Sequence, residues 1–372
     1  MKSKKCPICG CLMKRNGKTS SGAQRWRCKT CGSSTSHHID KKAKDLMTFV
    51  NWLLSKNAQT SMPGNGRTFR RKTSEFWKIW PMPEIVDEVH KVVFVDGIWI
   101  EKNTVILIAC SNNCVLSWHL ARSENTHAWR SLLSRIAPPK MVVTDGGSGF
   151  AKAVSIEWPE TKVQRCLFHA FCQVKRCTTV HPKLQAGYEM YVLAKDLLHI
   201  SNLRKADAWI QRFFEWCDVW DHFLDEKNYV DGRKQYVHER LRKARRSLAQ
   251  LIRKETLFTY LDPMLAAGEN LPATNNVIEG GVNAQIRSLL RNHRGMSTLR
   301  RVKAAFWWCY MHVEVPKSMS QTLREMPTDD DIEVLQNQYG IRAQEIGKEL
   351  KWGDAIVWEE LHFKTRYPDE VI

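Results

Sequence analysis

Three acidic residues stand in settings that suit metal-assisted chemistry. Asp96 ends the apolar run KVVFVDG, Asp145 ends a second one in MVVTDGGSG, and Glu279 lies in TNNVIEGGVNAQIR, where the pattern turns helical. Short apolar runs bounded by Asp-Gly read as strands, which predicts two carboxylates at strand tips and a third on a helix. Converging carboxylates make an oxygen cage for hard divalent cations, the apparatus for in-line attack on a phosphodiester. Asp-Gly after a strand is by itself a common turn, so the weight comes from the repeated context and from Glu279 far downstream. From Val282 to Lys303 there is no acid, while Arg287, Arg291, Arg294, Arg300 and Arg301 recur near helical spacing. A carboxylate heading an arginine-lined helix can hold metal while its neighbours grip phosphates.

A second constellation lies at the front of the chain. Cys6-Pro-Ile-Cys9 is followed, 18 residues on, by Cys28-Lys-Thr-Cys31. Two such knuckles turn four thiolates onto one ion, the tetrahedral site of a zinc ribbon holding one structural Zn²⁺. Cys11 is a spare thiol. The segment is too small to build a core, so its folding is expected to depend on metal. Its tip places Arg25, Trp26 and Arg27 together, cations interleaved with an aromatic ring as a nucleic-acid contact would be.

Charge is distributed unevenly. Residues 1–80 hold 18 Lys/Arg against Asp40, Asp45 and Glu75, a net of +15, so the remaining residues carry only +3 of the total +18. A basic front end on a near-neutral body points to a polyanion, here double-stranded DNA, although a merely solvated basic surface would give the same count. At 372 residues the chain has length for two or three domains, and its ordinary composition argues against wholesale disorder. No apolar stretch follows the basic opening MKSKKCPICG, and no apolar run approaches a membrane span. A cytoplasmic protein with some cysteines on metal, associating with the nucleoid when on DNA, is the expectation.

The elements that must position these residues follow from hydrophobic period. A zinc ribbon is expected over 1–36 and a helix-turn-helix-like segment over 41–80. In the latter, Leu46, Phe49, Val50, Leu53 and Leu54 share a face, and the basic second helix carries Arg70, Arg71 and Lys72. A plain helical hairpin linking ribbon to core fits that segment as well. From residue 88 the order is β-β-β-α-β-α-β, with the acids on strands one and four, the arrangement of an α/β ribonuclease H-like core in which those strands lie side by side. Its first part is taken as 88–174. Residues 175–270 read as an all-helical insertion without a strand, and 271–315 returns to the core with a helix running through Glu279 to about Tyr310. Trp209, Trp216 and Trp220 in the insertion suit core packing or stacking on a base. The tail, 316–372, offers no nameable chemistry.

In combination, VDG at 95–97, TDGGSGF at 144–150, RCLFHAF at 165–171 and NNVIEGGVNAQIRSLLRNHRGM at 275–296 closely resemble the mutator-type bacterial insertion-sequence transposases, in a zinc-ribbon-led branch. The resemblance runs over roughly 1–315. It implies that Asp96, Asp145 and Glu279 form a DDE triad binding two Mg²⁺ (or Mn²⁺) ions, and that the helical stretch between Asp145 and Glu279 is the family's insertion domain. The expected activity is metal-dependent DNA strand cleavage and strand transfer at the ends of an insertion sequence and into target DNA, by at least a dimer, with no membrane partner. Cys166 and His169 match the family's C-x2-H element beside the active site. As residues alone they fit a buried cysteine with a hydrogen-bonded histidine rather than a metal pair. A ribonuclease H-type nuclease and a domesticated, non-catalytic DNA-binding protein are the alternatives.

Overall fold

The computed structural model describes residues 4–6, 8–20, 22–36, 42–230 and 232–334. Most of the tail considered above, 335–372, lies outside the described residues.

The front module is a three-stranded antiparallel sheet of β1 (Met13–Lys18), β2 (Gln24–Cys28) and β3 (Ser34–Ser36), in the order β1-β2-β3. Its interior is small: Cys6, Met13 and Cys28, with Cys11 and Trp26 packed against them.

After it come α1 (Lys42–Leu54) and α2 (Arg67–Thr73). Leu46, Phe49, Val50 and Leu53 are fully buried, as their shared face requires, and Trp52 joins them. Phe49 stands edge-on to Trp77 at 4.9 Å and to Trp307 at 6.3 Å. This helix therefore packs into the main core. Arg70, Arg71 and Lys72 are exposed on α2.

The centre is a five-stranded mixed sheet: β4 (Val92–Glu101), β5 (Thr104–Cys110), β6 (Val115–Ala121), β7 (Met141–Thr144) and β8 (Lys162–Arg165). The order β6-β5-β4-β7-β8 puts the first and fourth of these side by side. The first three form an antiparallel meander, with Lys102-Asn103 turning between the paired Glu101 and Thr104, while β7 joins β4 and β8 in parallel. Central strands covered on both faces need continuous apolar runs rather than alternation, hence VVFV, TVILIAC and MVV. One face (Val93, Val95, Val105, Leu107) buries under α3 (Thr126–Leu133) and α4 (Ser148–Glu157). The other (Phe94, Ile98, Ile106, Ile108, Trp118) joins the larger core with α1 and α12 (Thr298–Met311).

In α12 every residue from Val302 to Tyr310 is buried, including Lys303. Its ammonium donates to the Trp77 carbonyl at 2.5 Å and pairs with Asp329, which also accepts from the Trp80 indole at 2.8 Å. A charge this deep persists only with such partners.

The helical region comprises α5 (Leu167–Thr178), α6 (Gln185–Asp196), α7 (Leu203–Val219), the short α8 (Asp221–Leu224) and α9 (Glu239–Arg253). The expected all-helical insertion needs correcting in two respects. A hairpin of β9 (Lys227–Val230) and β10 (Arg233–Tyr236), paired antiparallel, interrupts it in a run too polar to read as strand. The boundary expected at residue 175 also falls inside α5. Trp209 and Trp216 are buried, their indoles donating to the carbonyls of Leu193 (2.8 Å) and Ala186 (3.2 Å), so they serve packing and leave no free face for a base. Trp220, half buried, donates to Glu189 at 2.8 Å.

After the short α10 (Pro263–Ala266) the chain returns to the sheet. The single helix expected through Glu279 to Tyr310 is three pieces: a π-helical segment Val277–Asn283, α11 (Ala284–Asn292), and α12 after a break at His293–Ser297. Gly295, at φ +85°, stops a continuous helix there. A final helix, α13 (Met319–Glu325), starts with a capping box at Ser318 and Gln321. Among the described residues no helix is long and apolar enough to cross a membrane.

Candidate active site

Asp96 lies within β4, and Asp145 directly follows β7. The pairing Phe94↔Val143 carries the parallel register two residues on to these acids, which brings them side by side. Glu279 approaches from the π-helical segment. That segment is tied to the sheet by the Asn275 side chain, donating to the Val95 carbonyl at 3.0 Å, and by Asn283, whose amide donates to Asp96 Oδ2 at 2.7 Å. A π turn is frequent at functional sites; here Asn283 reaches Asp96, which lies in the middle of β4 and not at the strand tip its Asp-Gly context suggested.

Asp96 Oδ1 accepts the Gly97 N–H at 2.9 Å. Burial first, then the charge of Asp145, push its carboxyl up to about 7, with Glu279 and Glu124 adding to the rise. Glu279 is also raised, by burial first and by Asp145, against the pull of His169 and Arg287. His169 Nδ1 lies 3.2 Å from Glu279 Oε1.

Glu124, which sequence reasoning missed, is the fourth acid of this corner. It sits in the loop between β6 and α3, accepts the Trp99 indole N–H at 2.8 Å, and is raised by burial with Asp145 contributing. Its carboxylate approaches so closely that a Cβ on Gly97 would meet it at 2.6 Å. Gly146, at φ +89°, is needed twice over, since a Cβ there would meet the Arg165 guanidinium at 2.1 Å. Asn275, Asn283 and Arg165 were missed as well. For Asn283 a signal existed, its i+4 spacing from Glu279; for Glu124, in a polar loop, there was none.

Several buried polar atoms of this corner have no hydrogen-bond partner: Asn275 Oδ1, Asn283 Oδ1 and Arg165 Nη1. Acids clustered and buried beside such atoms are the surroundings of a ligand site rather than of a stabilising contact.

Cys166 and His169 border the acids. Cys166 caps the start of α5 and is buried; its Sγ accepts the Asn275 N–H at 3.2 Å. The sulfur, the His169 imidazole and the Glu279 carboxylate offer ligand atoms all within 4.8 Å of one another.

The other such group among the described residues is Cys6, Cys9, Cys28 and Cys31. Cys6 and Cys31 sulfurs are 3.5 Å apart, Cys9 and Cys28 3.4 Å, Cys9 and Cys31 3.5 Å. Zinc–sulfur bonds of about 2.3 Å put tetrahedral sulfurs about 3.8 Å apart, so the cluster is compatible with a zinc ribbon. The Ser33 hydroxyl, at 3.0 Å, and the Cys9 backbone draw the Cys6 thiol down to about 6, which favours the metal-binding thiolate. Cys11 stands outside the set of four.

Of the cations expected to meet DNA, Arg25 and Arg27 are exposed on β2, while Trp26 turns to the other face with the Arg15 guanidinium 5.7 Å from its ring. Arg287 and Arg291 are exposed on α11. Arg294 is exposed too, but in the break after that helix rather than on it. Arg301 pairs with Glu101 at 3.2 Å.

Residues 87–287 match the family described as transposase, Mutator family, and the chain belongs to that family. The match embraces β4 to β8, the helical region and Glu279. Over 96 residues the chain is also 33% identical to the transposase for insertion sequence element IS905 of Lactococcus lactis subsp. lactis (strain IL1403), a stretch equal to 22% of this chain and 25% of that protein. The chain thus spans about a quarter of the length of the curated relative it matches. The family so described is one of transposases.

Proposed function

We propose that this chain binds the ends of an insertion sequence and performs metal-dependent strand cleavage and strand transfer, with Asp96, Asp145 and Glu279 as its carboxylate triad on a ribonuclease H-like core. One observation carries the reading: Asp96 and Asp145 stand on adjacent parallel strands, and the segment bearing Glu279 is tied to Asp96 through Asn283 at 2.7 Å. Carboxylates crowded into a half-buried corner repel one another, and the donor set is all oxygen, which suits Mg²⁺ or Mn²⁺. The residues present therefore fit the two cations that the family resemblance implies. Bound there, the cations would lower the pKa of an attacking water and offset charge on the phosphodiester.

The chain's own residues do the rest. Asn283 and the Gly97 N–H hold both oxygens of Asp96 in place. Gly146 lets Arg165 close over the Asp145 loop. The exposed Arg287 and Arg291 offer phosphate contacts along α11. In this reading 1–36 is the DNA-contacting ribbon, 41–80 carries Arg70, Arg71 and Lys72 toward DNA, 88–174 and 271–315 form the catalytic core around the 175–270 insertion, and two chains hold two ends.

The test is a strand-transfer assay joining a short DNA bearing the element's end to a plasmid. Asp96→Ala, Asp145→Ala and Glu279→Ala are each expected to abolish cleavage and joining while sparing DNA binding. A triple-alanine protein that still joined the DNAs would end the proposal.

A further inference from the structure

We propose that Cys166, His169 and Glu279 form a second metal site, one that takes a zinc-class cation rather than a hard one. Their ligand atoms all lie within 4.8 Å of one another, and each arrives from a well-anchored position. Cys166 sits between β8 and α5, at the helix N-terminus. Its sulfur accepts the Asn275 backbone N–H at 3.2 Å, from the returning chain. A backbone amide donating to the sulfur is a contact that orients a metal-bound cysteine. His169 follows at i+3 on the same helix, hence on the same face. Glu279 enters from the π-helical segment, its Oε1 3.2 Å from His169 Nδ1.

The donor chemistry selects the ion. Sulfur, nitrogen and a single carboxylate suit Zn²⁺ or Co²⁺, whereas Mg²⁺ and Ca²⁺ take oxygen. On binding, the Cys166 S–H proton leaves to solvent and a metal–sulfur bond forms. Three protein ligands leave the fourth tetrahedral position open. Spacing along the chain shows only the Cys-x2-His pair; the third ligand comes from 110 residues beyond His169, through the fold. If the reading under Proposed function holds, Glu279 is shared, so a zinc-class ion here competes with the hard cations for that carboxylate.

Cobalt(II) is the probe. Full-length protein with Cys6, Cys9, Cys28 and Cys31 all changed to Ser is expected to bind about one Co²⁺ per chain with a thiolate-to-cobalt charge-transfer band in the near ultraviolet. Adding Cys166→Ser should remove the band, and adding Cys172→Ser, a half-buried thiol on the same helix, should leave it. His169→Gln should weaken cobalt binding about tenfold or more. Because a core substitution can disturb folding, wild-type crystals grown with Zn²⁺ supply a second readout. Anomalous scattering at the zinc edge should place an ion about 2.3 Å from Cys166 Sγ and about 2.0–2.2 Å from His169 and Glu279. A four-serine variant without the band, a band that survives Cys166→Ser, or anomalous density confined to the ribbon would each overturn the proposal. Neither measurement involves DNA or turnover, so its failure leaves the strand-transfer reading standing, and failure of strand transfer leaves this readout unmoved.

Discussion

Removing the negative charge of Asp96 should stabilise the metal-free protein, and do so more as pH rises. The carboxyl titrates at about 7 in the folded chain, against an ordinary value of 3.8. Between those values the folded state keeps a proton that the unfolded state has released, so stability falls as pH rises through the window and the loss is complete above about pH 7. At 1.36 kcal/mol per pH unit, the full span costs the wild type about 4 kcal/mol at pH 8 and about 2 kcal/mol at pH 5. Asp96→Asn escapes both costs. The amide also fits: Asn283 Oδ1 has no partner, so turning the Asn283 amide over lets it accept from an asparagine at 96. In magnesium-free buffer the variant's Tm should exceed the wild type's by several degrees at pH 8 and by less at pH 5. Adding Mg²⁺ at pH 8 should raise the wild type's Tm and leave the variant's nearly unmoved. A variant no more stable than wild type at pH 8, or an offset equal at both pH values, would refute a charge crowded by burial and neighbouring acids.

Three further outcomes are expected. Elemental analysis should show that changing Cys6 and Cys28 together to Ser removes about one Zn²⁺ per chain; a folded wild type with no zinc to lose there would contradict the ribbon. Deleting residues 1–36 removes nine Lys/Arg and no acid. It should weaken binding to element ends and flatten its dependence on salt, each lost phosphate contact lowering the log–log slope by about 0.9; unchanged slope and affinity would exclude the ribbon as a DNA contact. Phe49→Ala, by contrast, should cost about 3–5 kcal/mol in denaturant unfolding of the catalytic core, since that ring packs against Trp77 and Trp307; a negligible change would mean that α1 is detached.

The sheet was legible because burial on both faces leaves a coarse trace. VVFV, TVILIAC and MVV admit no reading but buried strands once bounded by turn residues, and the β-β-β-α-β-α-β order leaves few ways to connect them. The paired cysteines were legible for a similar reason, since four thiolates at knuckle spacing have few uses. The β9–β10 hairpin was not, because Lys227, Asn228, Tyr229 and all of RKQY lie exposed, and an exposed two-stranded ribbon needs no apolar alternation. Nor was the break after α11: helical spacing of arginines continued through it, while His293, buried and bonded to the Leu53 carbonyl at 2.8 Å, anchors the bend by a contact 240 residues apart in sequence.

The acids illustrate the limit best. Asp96 and Asp145 could be paired from the strand order alone, since register is a local rule carried through the sheet. The approach of Glu279 rests instead on Asn275 and Asn283 gripping β4, and on a π turn, a register choice that a helical pattern does not record. Glu124 and Arg165 enter only because Gly97 and Gly146 leave them room. Thus glycines that look like turn residues in VDG and TDGG are also the absences that admit a fourth carboxylate and a guanidinium. A corner so assembled is costly: Asp96, Glu124 and Glu279 are all raised by burial, and polar atoms beside them go unbonded. Two aliphatic and aromatic layers on either side of the sheet carry that cost. Electrostatic cost concentrated at one corner of the sheet, in a fold otherwise well packed, is the physical mark of a place kept for a ligand of opposite charge.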